Sequence, residues 1–170
     1  MRALVVYESM FGNTEGIAKV VAGALQAGGT DVELVEVHAA PLALGCRYGL
    51  LVVGAPTHAF GLPRQQTRQD VTRRAGVVLA GADFGIQEWL GDLTMCNHQP
   101  AATFETRSDR SPGSAARAAA RRLRDRGAEI MSTASFTVVG AQGPLAAGEE
   151  ERAEEWAAGL VVDAAIHRVG

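Results

Sequence analysis

The chain alternates between short apolar runs and longer segments in which apolar residues recur at helical spacing. The run 49–54 suits a strand buried on both faces, whereas 31–37 alternates polar and apolar residues and predicts a strand with one more exposed face. The predicted strands are 3–8, 31–37, 49–54, 101–104 and a last strand or strand pair within 128–139.

Helical spacing separates these runs. It predicts a helix from near Thr14 to the glycines at 28 and 29, and further helices over 64–80, 86–90, 114–126 and from Glu149 onward. Residues 41–45 allow a turn or two of helix at most, and 92–99 form a connector. The alternation predicts one α/β domain over 1–170, a doubly wound five-stranded parallel sheet of order 2-1-3-4-5 with helices on both faces.

The loop between the first strand and the first helix carries the strongest chemical signal. It reads Ser9-Met10-Phe11-Gly12-Asn13-Thr14, and the helix begins at its end. The first N–H groups of a helix lack partners within the helix, and its dipole favours negative charge there. The loop has neither the lysine of a P-loop nor the three spaced glycines of a dinucleotide fingerprint. It therefore indicates an anion site built from neutral donors, although a capped helix without a ligand would have the same pattern.

This loop resembles the phosphate loop of the flavodoxin family, whose pattern Ser9, Gly12, Asn13 and Thr14 match and in which Phe11 replaces the middle hydroxyl. The closing segment is also similar to flavodoxin-like proteins of high-GC actinobacteria. The resemblance implies FMN as the cofactor. The residues that it implies for the phosphate are Ser9, Gly12, Asn13 and Thr14, and Met10 and Phe11 of the same loop are further predicted cofactor-binding residues. Those that it implies for the flavin ring are Pro56, Thr57, His58 and Phe60 on one side and Thr106 and Arg107 on the pyrimidine side.

Composition narrows the class of protein. The chain is 47% hydrophobic and 21% charged, with a net charge of −3, which argues against nucleic acid as a partner. Apolar runs are too short to span a membrane, and Glu8 interrupts the first one, so we expect no signal peptide and a cytoplasmic location. Cys46 and Cys96 stand apart without metal-ligand spacing, which favours two unpaired thiols.

The resemblance implies an FMN-binding redox protein that transfers electrons to a partner protein or a small acceptor. Carriers of this family are usually strongly acidic and have an aromatic residue in the third loop, whereas this loop has Arg107 and Arg110. These arginines either lie near the flavin or pair with Glu105 and Asp109. Three alternatives therefore stay open: a flavin-free binding or regulatory module, an FMN-dependent quinone-type reductase, and a protein whose first loop holds another phosphate-bearing ligand. The sequence leaves undecided whether the protein is an enzyme and what its oligomeric state is.

Two arginine-rich segments need a structural explanation. The first is at the start of 64–80 and includes Arg68, and the second lies along one face of the predicted helix over 114–126. Both are interpreted as solvated faces, with docking of an acidic partner as the alternative for each and of nucleic acid as a further alternative for the second.

Overall fold

A computed structural model describes residues 1–58, 60–76 and 83–166. Its strands are β1 Arg2–Tyr7, β2 Asp31–Glu36, β3 Ala43–Gly45, β4 Leu50–Pro56, β5 Thr94–Met95, β6 Pro100–Arg107 and β7 Glu129–Thr137. The five long strands form one parallel sheet in the order β2-β1-β4-β6-β7. This is the predicted order 2-1-3-4-5, which confirms the predicted fold.

Helices connect the parallel strands and cover both faces of the sheet. They are α1 Asn13–Ala27, α2 Gln65–Ala75, α3 Ile86–Asp92, α4 Ala115–Arg124 and α5 Glu149–Ile166, with one 3₁₀ turn at Val37–Ala39. One core lies between the sheet and α1 with α5, and the other lies between the sheet and α3 with α4. No helix of the described ranges is long and apolar enough to cross a lipid bilayer. The prediction of a helix over 64–80 holds as far as Ala75, and its end at 77–80 lies outside the described residues.

β4 shows why the most apolar run lies at the centre. Every residue of this strand is buried, as expected for a central parallel strand with helices on both sides. Phe104 of β6 packs edge-on against Phe136 and Trp156, with ring centroids 6.2 and 6.1 Å away. A Cβ at Gly54 would collide with the Phe104 ring, so the glycine makes room for this aromatic cluster.

The two short strands were not predicted. β3 pairs with β5 as a small parallel sheet of their own, since the segments predicted as a turn and a connector lie side by side. Both segments directly precede long strands, β4 and β6, so they lie at the amino ends of the main sheet.

The prediction of two unpaired thiols is wrong. Cys46 and Cys96 form a disulfide, with Cα atoms 5.4 Å apart and a sequence separation of 50. Each cysteine follows one of the two short strands, and the pairing of β3 with β5 brings them together. Nothing local in the sequence indicates this pairing, which depends on two connectors that meet only in the fold.

We predict that the Cys46→Ser/Cys96→Ser variant loses about 2–4 kcal/mol of unfolding free energy, because the bridge closes a 50-residue loop and restricts the unfolded chain. Urea unfolding under oxidising conditions measures the loss, and the wild type in excess reductant should show the same value. An unchanged urea midpoint would mean that the bridge does not constrain the unfolded chain.

Candidate functional site

A cleft of about 200 Å³ opens at the carboxyl ends of β1, β4 and β6. Four loops line it, where the sequence predicted three. The first loop contributes Met10, Phe11, Asn13 and Thr14, and the second contributes Pro56, Thr57 and His58. The third loop contributes Thr106, Arg107, Ser108 and Ser111, and the fourth contributes Val138, Gly140 and Ala141. Nine of the twelve predicted site residues are among them. The other three do not line the cleft: Ser9 and Gly12 shape the first loop, and the Phe60 side chain lies outside.

The first loop presents unpaired backbone donors. Gly12 precedes α1 in the left-handed conformation, with φ 86°, and no side chain caps the helix. Ser9 Oγ accepts the Gly12 N–H at 3.1 Å, and the first helical bond runs from Gly16 N–H to the Gly12 carbonyl at 2.9 Å. The N–H groups of Asn13 and Thr14 therefore have no partner among the described residues. An uncapped helix start of this kind accommodates an anion.

Two side-chain bonds tie the first loop to its neighbours. The Thr14 and Thr106 hydroxyls share a hydrogen bond of 2.7 Å, and both residues are buried. Asn13 Nδ2 donates to the Gln142 carbonyl at 2.8 Å. Asn13 thus holds the fourth loop in place, and Thr14 couples the first loop to the third.

The carboxylate of Glu105, which is 2% exposed, organises the other side of the cleft. Its Oε2 accepts bonds from Thr57 Oγ1 at 2.6 Å, Ser114 Oγ at 2.8 Å and Ala116 N–H at 3.1 Å. Its Oε1 accepts one from Ser135 Oγ at 3.0 Å. The first helical turn of α4 and the second loop are therefore fixed by one buried side chain.

Arg107 is tied within its own loop. Its guanidinium donates to the carbonyls of Gly113, at 2.9 Å, and Ser111, and lies 3.6 Å from Glu105 Oε1. Of the two interpretations of this arginine, the pairing with Glu105 is present in the structure. Arg110 is exposed and makes no hydrogen bond or ion pair with any residue in the described ranges.

The second loop turns sharply after Thr57. His58 and Gly61 exchange backbone bonds of 2.9 and 3.0 Å, and Phe60 between them has φ 81°. The Phe60 side chain is 75% exposed and lies outside the cleft, while its carbonyl packs against Gly113, where a Cβ would collide with it. His58 does line the cleft, and burial lowers the pKa of its imidazole.

A buried ion network supports the start of the first loop. Glu8, directly before Ser9, accepts the Ile86 N–H at 2.9 Å and contacts Arg68 at 3.3 Å. Arg68 also binds Glu88, at 2.7 Å, and the Pro63 carbonyl, at 3.0 Å. Burial raises the pKa of Glu8, opposed by the Ile86 bond and by Arg68.

The interpretation of Arg68 as part of a solvated face is wrong, because it is 2% exposed. Two carboxylates and a carbonyl compensate its buried charge. Helical spacing alone could not indicate this, since Glu8 and Glu88 come from distant parts of the chain.

The fourth loop was missed as part of the site. It follows β7 and is closed by bonds from the Val139 N–H to the Pro144 carbonyl, at 2.8 Å, and from the Ala146 N–H to the Thr137 carbonyl, at 2.9 Å. Its position at the carboxyl end of a strand was the available signal, because ligands of open parallel sheets bind at that edge.

The cleft suits a phosphate ester better than a metal ion. None of its lining residues is an Asp or Glu, whereas hydroxyls, unpaired N–H groups and one arginine surround it. No cluster of metal-binding side chains exists among residues 1–58, 60–76 and 83–166. The donor set therefore fits the anionic end of a phosphate ester, whose remaining part would lie between the second and third loops.

The flavodoxin family model matches residues 5–85, which include the first two loops and the strands before them. No curated protein sequence matches the chain. Solved structures extend the likeness to the whole fold.

Flavodoxin 1 from Bacillus cereus superposes with a TM-score of 0.70 at 19% identity, over 95% of this chain and 98% of that one. The flavodoxin of Streptococcus pneumonia TIGR4 has a TM-score of 0.65 at 21% identity, over 96% and 99% of the two chains. The two-electron reduced flavodoxin of Megasphaera elsdenii has a TM-score of 0.61 at 22% identity, over 92% and 98%. At these identities the likeness establishes a shared fold.

We predict that Glu105→Gln destabilises the protein by about 1–3 kcal/mol. One carboxylate oxygen becomes an NH₂ group, which cannot accept a hydrogen bond from the hydroxyl and N–H donors around it. Ser135→Ala is the matched control, which removes one of the four donors and should cost about 0.5–1.5 kcal/mol. Urea unfolding compares them. Equal losses in the two variants would contradict the organising role of the carboxylate.

We predict a pH effect from His58. Because its folded-state pKa is lowered, the unfolded chain takes up a proton first as the pH falls below about 6.5. The free energy of unfolding should therefore fall between about pH 7 and about pH 5 by more in the wild type than in His58→Gln. Parallel pH profiles for the two proteins would show that His58 titrates as it does in the unfolded chain.

Proposed function

Because this chain is a flavodoxin-like protein, we propose that it binds FMN in the cleft and transfers electrons as a flavodoxin does. FMN is the cofactor of the family, and its two chemical parts, a phosphate and a planar ring, call for different surroundings. The uncapped start of α1 carries the proposal, since it supplies free donors at the position where the family loop holds the phosphate.

The phosphate would lie against the Asn13 and Thr14 N–H groups, with the Thr14 hydroxyl beside it. Each bond to a charged group contributes about 1.5–3 kcal/mol, so a few neutral donors suffice without a lysine. No carboxylate lines the cleft to repel the anion, and the nearby Glu105 carboxylate is compensated by four hydrogen-bond donors and by Arg107.

The ring would lie between the second and third loops. Thr57 and His58 would contact one side, and Thr106 and Arg107 would meet the pyrimidine end. The bound flavin supplies the electron-accepting chemistry, and the protein orients it and limits its access to water. The neutral imidazole of His58 and the compensated guanidinium of Arg107 leave little uncompensated charge beside the ring.

An electron carrier explains the site with the fewest assumptions, because no hydrogen-bonded nucleophile–base pair lies among the residues that line the cleft and no cluster of metal-binding side chains lies within the described part of the chain. Its partner would be a redox protein or a small electron acceptor. The cytoplasmic location stays a prediction, and the exposed Cys46 in a disulfide is a feature more common in oxidising compartments.

Titration of the purified protein with FMN, riboflavin and inorganic phosphate tests the proposal, with flavin fluorescence as the readout and phosphate as a competitor. We expect stoichiometric quenching of FMN, and an affinity for riboflavin more than about tenfold lower, because riboflavin lacks the phosphate. Failure to bind FMN would overturn the proposal and favour a flavin-free binding module. Equal affinity for both flavins would remove the first loop from the site.

We predict that Thr14→Val weakens FMN binding by about 1–3 kcal/mol, since it removes a hydroxyl beside the phosphate and the bond to Thr106. Thr30→Val is the control, a buried threonine that follows the end of α1, at the opposite edge of the sheet. Isothermal calorimetry should detect a loss in the first variant alone. An unchanged affinity would exclude Thr14 from the site.

A further inference from the structure

Charge is segregated between the two faces of the molecule. α5 begins with three glutamates and has two more at 154 and 155, with Arg152 as its single basic residue up to Ile166. On the opposite face, α4 and the turn after it contain five arginines, at 117, 121, 122, 124 and 126, and one acidic residue, Asp125. The net charge of −3 conceals this separation.

The exposed arginines of the basic face lack acidic partners. Arg64, Arg117 and Arg121 are exposed, and none of them makes an ion pair within the described ranges. Six arginine or lysine residues elsewhere do have such partners, among them Lys19 with Glu15 and Arg2 with Asp31. The charge of this face is therefore available to a partner.

Phe60 stands at the centre of these arginines. Grooves of about 410 and 570 Å³ flank it, one reaching Arg64 and Arg121 and the other reaching Arg117 and Arg121. Its left-handed backbone is unfavourable for a residue with a Cβ, its main chain packs against Gly113, and its ring is exposed. An exposed aromatic ring within a rim of arginines is the composition of a protein interface, where aromatic residues and arginine are enriched.

This surface adjoins the cleft. The loop that carries Phe60 also supplies Thr57 and His58 to the cleft lining, and Arg107 lines both the cleft and one groove. A protein seated on Phe60 would therefore lie beside the proposed flavin.

We propose that Phe60, Arg64, Arg117 and Arg121, the arginine face, form the docking surface for an acidic redox protein. The arginines attract and orient the acidic partner, the acidic α5 on the far side repels it, and the ring packs against an apolar patch at the centre of the contact. The redox role of the partner rests on the proposed function, whereas the preference for an acidic surface does not.

Binding of two redox proteins of opposite charge tests the proposal without electron transfer. The probes are a plant-type [2Fe–2S] ferredoxin, which is acidic, and a mitochondrial cytochrome c, which is basic. Biolayer interferometry at an ionic strength of about 0.01 M would measure affinity, and ¹⁵N NMR of this protein would locate the contact. We expect ferredoxin to bind, with shifts centred on Phe60 and α4, and its affinity to fall steeply at about 0.15 M.

Arg117→Glu/Arg121→Glu should weaken ferredoxin binding by at least about tenfold, because both side chains border the ring. Lys19→Glu/Arg47→Glu is the matched control, since it changes the net charge equally at exposed positions away from this face and should leave the affinity within about twofold. Phe60→Ala should weaken binding while keeping its salt dependence, because it removes only the apolar contact.

Several results would overturn the proposal: no ferredoxin binding, tighter binding of cytochrome c, equal effects of the two double variants, or preference for a single-stranded DNA oligonucleotide. Each measurement is made with and without added FMN. Ferredoxin binding by a protein that ignores FMN would support the docking surface and overturn the flavin proposal alone. FMN binding without ferredoxin binding would support the flavin proposal and overturn the docking surface.

Discussion

The buried carboxylate of Glu105 holds together the parts of the cleft that come from different segments of the chain. It stands near the carboxyl end of β6 and accepts bonds from the second loop, from the start of α4 and from β7. A carboxylate in this position is stable only if such donors surround it, since a buried charge without them costs several kcal/mol. The site therefore depends on a polar network as much as on the apolar core beneath it.

A second buried network, centred on Glu8, holds the side of the cleft that the first loop forms. Glu8 follows β1, and its bonds to Arg68 and to the Ile86 N–H fix the point where the first loop begins. With both sides anchored, the start of α1 stays uncapped without fraying into the cleft, and its N–H groups remain available. Backbone donors held in fixed positions would meet an anion without reorganisation on binding.

Charge distribution distinguishes this chain from the acidic carriers that are usual among flavodoxins. The α4 face is basic and the α5 face acidic, so the molecule has a strong dipole at a small net charge. Such a dipole orients an approaching partner before contact. Thr57 and His58 line the cleft and Phe60 lies on the outer surface, so the proposed docking surface and the proposed cofactor site would share one loop.

The sequence by itself determined the local elements and the architecture: short-range spacing indicates the strands and helices, and their alternation predicts the five-stranded parallel sheet. The anion site at Ser9–Thr14 stays a prediction. Tertiary structure alone decided the features that join distant segments. It paired Cys46 with Cys96, buried Arg68 between two carboxylates, added the loop after β7 to the cleft and turned Phe60 outward. The physical reason is the sequence distance between the interacting groups. Periodicity indicates which face of a helix or strand is buried, but not which residue from a distant segment will contact that face.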